Sequence, residues 1–128
     1  MTSDQIVTSF LQAIERKDID AAVAALSESI SYENMPMRPI VGPEAVAKAL
    51  HGFVDAAEEV DWQIVRQDAV GNVVYNERVD RFRFSGGWLE LPVAGVFELD
   101  AAGKITLWRD YFDMASYQRQ YAEVGNAD

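Results

Sequence analysis

Two aspartates, an arginine, a tyrosine and two asparagines stand at spacings that can do acid–base chemistry in this chain of 128 residues. In the stretch Val73–Phe84 (VVYNERVDRFRF), read as a strand, successive side chains point to opposite faces. Val73, Tyr75, Glu77, Val79, Arg81 and Arg83 suit a solvent side. Val74, Asn76, Arg78, Asp80, Phe82 and Phe84 form the other face, apolar at both ends and charged in its middle. Buried charge is costly unless it is paired and hydrogen-bonded. A second stretch, residues 103–113 (GKITLWRDYFD), places Asp110 between Trp108 and Phe112 on the pocket side. Tyr32 and Asn34, two apart, would share a face of a short strand and close the set.

Two carboxylates close together in an apolar site cannot both ionise cheaply, so one keeps its proton at a raised pKa. An arginine between them holds the other ionised. The result is one general acid and one general base at neutral pH. Tyr and Asn can complete the hydrogen bonds of a water held by the base. The alternative is structural. Arg78 and Asp80 at i and i+2 also suit a plain ion pair, Tyr32 and Asn34 suit a strand end, and Met35, Met37 and Met114 suit core packing. His51, off the apolar stripe of its helix, reads as a surface residue.

The length is that of one domain spanning residues 1–128, and such a chain buries roughly two-thirds of its unfolded surface. It can therefore hold a core and a pocket. The net charge of −10 argues against nucleic acid or an anionic membrane surface as a partner. The absence of cysteine excludes disulfides, thiolate metal sites and cysteine nucleophiles. The first ten residues show neither a basic start nor an apolar stretch of a secretion signal, and no apolar run approaches the ~20 residues needed to span a bilayer. A cytoplasmic protein is expected.

The elements that must position these groups follow from periodicity. Ile6, Val7, Phe10, Leu11 and Ile14 recur at helical spacing over residues 3–16, and Asp18 opens a short second helix through residue 26. A short strand is expected over residues 30–33, followed by a loop from 34 to 41 containing Pro36 and Pro39. Gly42-Pro43 opens a third helix, where proline's missing N–H costs nothing. Strands follow over residues 60–69, 73–84, 88–99 and 104–113, joined by Gly-containing turns. Pro92 implies an edge or a bulge. A last helix covers about residues 115–122, and residues 124–128 are expected to fray. The pattern is α+β: a strongly curved, mixed or antiparallel sheet wrapped over three N-terminal helices, leaving an internal apolar pocket.

The segments Tyr32-Glu33-Asn34-Met35-Pro36-Met37-Arg38-Pro39, Glu77-Arg78-Val79-Asp80 and Trp108-Arg109-Asp110-Tyr111-Phe112-Asp113 resemble the limonene-1,2-epoxide hydrolase family, within the NTF2-like, SnoaL-like group of cone-shaped folds. The resemblance covers nearly the whole chain. It implies that Asp110 is the general base taking a proton from water, and that Tyr32 and Asn34 hold that water. Asp80 is then the general acid protonating the epoxide oxygen, and Arg78 the bridge between the carboxylates. It further implies one-step ring opening without a covalent ester, no metal or organic cofactor, and a homodimer formed through the outer sheet face.

The expected partners are a small hydrophobic epoxide, cyclic or terpene-like, and water. Substrate contacts are expected from Trp88, Leu91, Phe82, Met35 and Met114. A ketosteroid-isomerase-like or polyketide-cyclase-like enzyme, or a non-catalytic binding module, are the competing readings, since fold does not imply function.

Overall fold

Val7, Phe10, Leu11 and Ile14 fall on one side of α1 (Ser3–Glu15) and are buried there. The helix begins where the Gln5 side chain accepts a hydrogen bond from the Thr2 N–H, 3.0 Å. Asp18 caps the short α2 (Ile19–Ala24) by accepting from the Ala21 N–H at 3.1 Å. The third helix, α3 (Pro43–Val54), carries proline in its first turn and buries Val46, Leu50 and Val54. These come from a computed structural model that describes residues 1–125; the expectation for residues 126–128 lies outside the described residues.

The strands are β1 (Leu26–Met35), β2 (Ile40–Val41), β3 (Glu59–Val70), β4 (Val73–Phe84), β5 (Gly87–Leu99) and β6 (Ile105–Tyr111). They form one sheet in the order β2-β1-β6-β5-β4-β3. The meander from β3 to β6 is antiparallel, as the turn chemistry predicts, but β1 joins its far side parallel to β6. The first strand is thus ten residues rather than four. Its polar start, Ser27-Glu28-Ser29, has no strand signature of its own and falls in an irregularity of the ladder between Leu26 and Ser31, whose partners on β6 are Ile105 and Leu107. α1 packs on β3 and β4, and α3 on β1 and β2, so the helices cover one face of the sheet.

β4 alternates buried and accessible side chains along its whole length, with Val74, Asn76, Arg78, Asp80, Phe82 and Phe84 inward. The core between sheet and helices includes Phe10, whose ring meets Trp108 edge-on at 5.0 Å. Pro92 sits where β5 has β4 on one side only, because pairing with β6 ends at Ala94; the edge it implies is a local one. The last helix, α4 (Met114–Gln120), continues into a π-helical turn, Tyr121–Gly125, so Val124 and Gly125 are ordered rather than frayed.

Candidate active site

Strand pairing sets the site. Asn34 of β1, Asp110 of β6, Gly95 of β5, Asn76 of β4 and Gln67 of β3 lie opposite one another in a single row across five strands. Two residues further along β4, Arg78 sends its side chain back over that row. The guanidinium is fully buried and uses all five of its N–H donors. Nε and Nη2 donate to the two Asp80 oxygens at 3.0 and 2.9 Å. Nη1 and Nη2 donate to the two Asp110 oxygens at 3.2 and 2.8 Å. Nη1 also donates to Asn76 Oδ1 at 3.0 Å. Asn76 in turn donates to Gln67, and Gln67 to the Thr8 hydroxyl and the Asp4 carbonyl, which ties the cluster to α1.

The carboxylates open on a cavity of about 410 Å³, in the size range of small-molecule sites. Tyr32, Asn34, Asp80 and Asp110 supply its buried polar wall, and Phe82, Leu91 and Val93 part of its apolar wall. Met37 and Gln118, both solvent-exposed, lie at the mouth with Met114. Tyr32 stacks on Trp108 with ring centroids 3.9 Å apart, which fixes the phenol beside Asp110.

Burial penalises the ionised form of Asp80 and lifts its pKa to about 6, although Arg78 pulls the other way; the charge of Asp110 adds to the rise. Burial alone would lower the pKa of Arg78, but the two carboxylates outweigh it and keep the guanidinium above its ordinary value. Burial, helped by the charge of Asp110, keeps the Tyr32 phenol well above its usual range, so it stays neutral and can donate. At neutral pH one cation faces two acids, one of which takes up a proton readily. Such a set can give a proton on one side of a bound molecule and take one on the other.

Two buried donors, Asn34 Nδ2 and Trp62 Nε1, have no protein partner, and both residues line the cavity. A buried unpaired donor costs about 1–3 kcal/mol, so these are places for a water or an acceptor on a ligand. Among the described residues no group of three or more His, Asp or Glu side chains is placed to hold a metal ion. His51 is exposed and pairs with Asp55 at 3.0 Å.

The structure brings Tyr32, Asn34, Arg78, Asp80 and Asp110 together, with Phe82, Leu91 and Met114 on the cavity wall. It does not bring Trp88 or Met35 there. Trp88 shares the outward parity of Glu90 and Pro92 on β5 and stacks under the Arg81 guanidinium at 4.1 Å. Met35 is one residue off the inward face of Tyr32 and Asn34 and is 37% exposed. The wall also includes Trp62, Met37 and Phe112, none of them expected as a substrate contact, although parity puts Phe112 on the pocket side with Asp110. Pairing could have found Trp62, the cross-strand partner of Asp80.

The family model of the limonene-1,2-epoxide hydrolase catalytic domain matches residues 1–122. An epoxide hydrolase of Mycobacterium tuberculosis, EphG, is 37% identical over 108 residues, 84% of this chain and 71% of that protein. A solved structure of an LEH-like epoxide hydrolase from M. tuberculosis superposes with a TM-score of 0.80 at 34% identity, covering 91% of this chain and 86% of the other. A SnoaL-like polyketide cyclase structure from Shewanella putrefaciens has a TM-score of 0.83 at 16% identity over 94% and 85% of the two chains, a likeness of fold alone. With its sequence and its fold both aligned to the same group, the chain belongs to the limonene-1,2-epoxide hydrolase family of epoxide hydrolases.

Proposed function

We propose that the chain adds water to a hydrophobic epoxide, cyclic or terpene-like, and gives a vicinal diol in one acid–base step. Asp110 accepts a proton from a water positioned by Tyr32 and Asn34, and the water oxygen bonds to a ring carbon. As the carbon–oxygen bond of the ring breaks, Asp80 delivers its proton to the leaving oxygen. Asp110 is left protonated and Asp80 ionised. Passing one proton back between the two carboxylates, both held by Arg78, resets the site. The observation that carries this reading is the single guanidinium bonded to both carboxylates at 2.8–3.2 Å on the wall of an apolar cavity. The raised pKa of Asp80 supports its role as the acid, and the unpaired Asn34 amide supports a water at that position.

A single turnover on limonene oxide or cyclohexene oxide in oxygen-labelled water tests the step. Label in the diol and none on Asp110 is the expected result. Label on Asp110 would mean an ester intermediate and would overturn it.

The same proposal includes a homodimer. The outer face of β4, β5 and β6 presents Tyr75, Val79, Pro92, Ala94 and Tyr111, with the paired charges of Glu77 and Arg109 among them. Sedimentation should give twice the 14.3 kDa of one chain; a monomer at micromolar concentration would refute this part alone.

A further inference from the structure

Arg78 reaches Asp110 only by crossing β5, and the residue it crosses is Gly95. In the strand register Gly95 stands opposite Asn76 on one side and Asp110 on the other. Its neighbours on the same face of β5, Val93 and Phe97, are both buried and both carry large side chains. A Cβ at position 95 would lie 2.6 Å from Arg78 Nη1, 2.8 Å from Asn76 Oδ1 and 2.9 Å from Asp110 Oδ1. Real Cβ atoms essentially never approach so closely. The guanidinium cannot swing aside at low cost, because every one of its N–H groups is bonded and it is fully buried. The backbone of Gly95 shows no positive φ, so conformational freedom is not why glycine stands there.

We infer that Gly95 is a positioning residue for the reaction: the missing side chain opens the one gap in the inner face of β5 through which a single guanidinium holds both carboxylates. This rests on the acid–base reading above and extends it from the groups that touch substrate to the backbone that seats them. The charged and titratable groups facing the guanidinium are Asp80 on its own strand and Asp110 on β6, with Tyr32 of β1 beside Asp110 and Glu15 of α1 within reach of the charge of Asp80. An added methyl pushes Nη1 away from Asp110 and Asn76. The carboxylate pair then loses part of the positive charge that favours its ionised forms and releases its proton at higher pH.

Gly95→Ala is therefore expected to fold, to lose on the order of 10²-fold in kcat, and to leave KM within about threefold, since the apolar wall is untouched. The limb of its pH–rate profile that belongs to the carboxylate pair moves to higher pH. A merely structural role would lower the yield of folded enzyme without moving that limb. Arg78→Lys supplies the second arm. Lysine has no Nη1, so adding Gly95→Ala to that background removes the shortest of the three clashes while those with Asn76 and Asp110 remain, and should cost less further stability than in the unaltered chain, a non-additivity in a double-mutant cycle of urea unfolding. Should Gly95→Ala alone fail to fold, recovery of folding in the double variant supports the inference, and failure of both overturns it. Full activity with the pair's limb unmoved in Gly95→Ala also overturns it. Loss of turnover in Asp110→Asn in the same assay shows that the acid–base reading stands even where the inference about Gly95 falls.

Discussion

Trp108 donates its indole N–H to Asp110 Oδ1 across 2.9 Å. That oxygen also accepts from Arg78 Nη1 at 3.2 Å, so both its lone pairs are engaged. Oδ2 accepts only from Arg78 Nη2, at 2.8 Å, and keeps one lone pair free among the described partners. The indole thus decides which Asp110 oxygen can take a proton from water. Trp108→Phe keeps an aromatic ring against Tyr32 but removes the donor together with part of a fully buried ring system. The expected outcome is a loss of about 10-fold or more in kcat with at least about 2 kcal/mol of stability, the lost hydrogen bond to a charged group and the space left in the core both contributing. Steady-state kinetics beside a chemical unfolding curve checks both; unchanged kcat would show that Arg78 alone orients the carboxylate.

Asp80→Asn and Asp110→Asn each remove a proton-transfer partner while keeping shape. Turnover should fall by on the order of 10²-fold or more in both, with the fold retained by circular dichroism. A non-catalytic binding module predicts no effect on ligand affinity from either change. The pH profile separates the two roles. An acid that must be protonated fails as pH rises past its pKa, so kcat/KM should fall through about pH 6 on the alkaline side, that limb belonging to the carboxylate pair rather than to Asp80 alone. Asp80→Asn should abolish the limb along with most of the rate.

Much of the site was legible because alternation in a strand is strict. Once Val74, Phe82 and Phe84 mark the inner face of β4, Asn76, Arg78 and Asp80 must join them, and Trp108 does the same for Asp110. The same strictness explains the two misplaced residues. Trp88 and Met35 each lie one position off the inward series, and hydrophobicity alone does not reveal parity near a turn or a strand end. The length of β1 was hidden because its partner, β6, follows more than seventy positions later in the chain and pairs in parallel, a contact with no local signal. The unpaired donors of Asn34 and Trp62 depend on what is missing around them, which no residue type announces.

Asn34 makes function and stability pull in opposite directions. Its Nδ2 is buried with no protein partner, a cost of about 1–3 kcal/mol that a bound water would offset. Asn34→Leu keeps the branching at Cγ, places bulkier methyls on the cavity wall and removes the donor. Thermal melting should shift upward while kcat drops about 10-fold or more, the signature of a residue kept for activity. A lower melting temperature would mean that the free enzyme already satisfies this amide.

Asp80 also makes folding depend on pH. Its carboxyl titrates at about 6 in the folded chain against an ordinary 3.8, because burial opposes the charge. The native state therefore holds a proton that the unfolded chain has released, and stability falls as pH rises wherever the native state binds more protons. The contribution is fully present below about pH 3.8 and is lost as pH rises through about 6, a span of roughly two units. At 1.36 kcal/mol per unit this is about 3 kcal/mol, an upper figure because the pair titrates together. Urea unfolding at pH 4.5 and pH 7.5 isolates it when the protein is compared with Asp80→Asn, since every other titrating group is common to both. The unaltered chain should lose more stability over that interval than the variant does. Equal losses would show that Asp80 is already ionised at pH 4.5 in the folded protein and cannot serve as the proton donor.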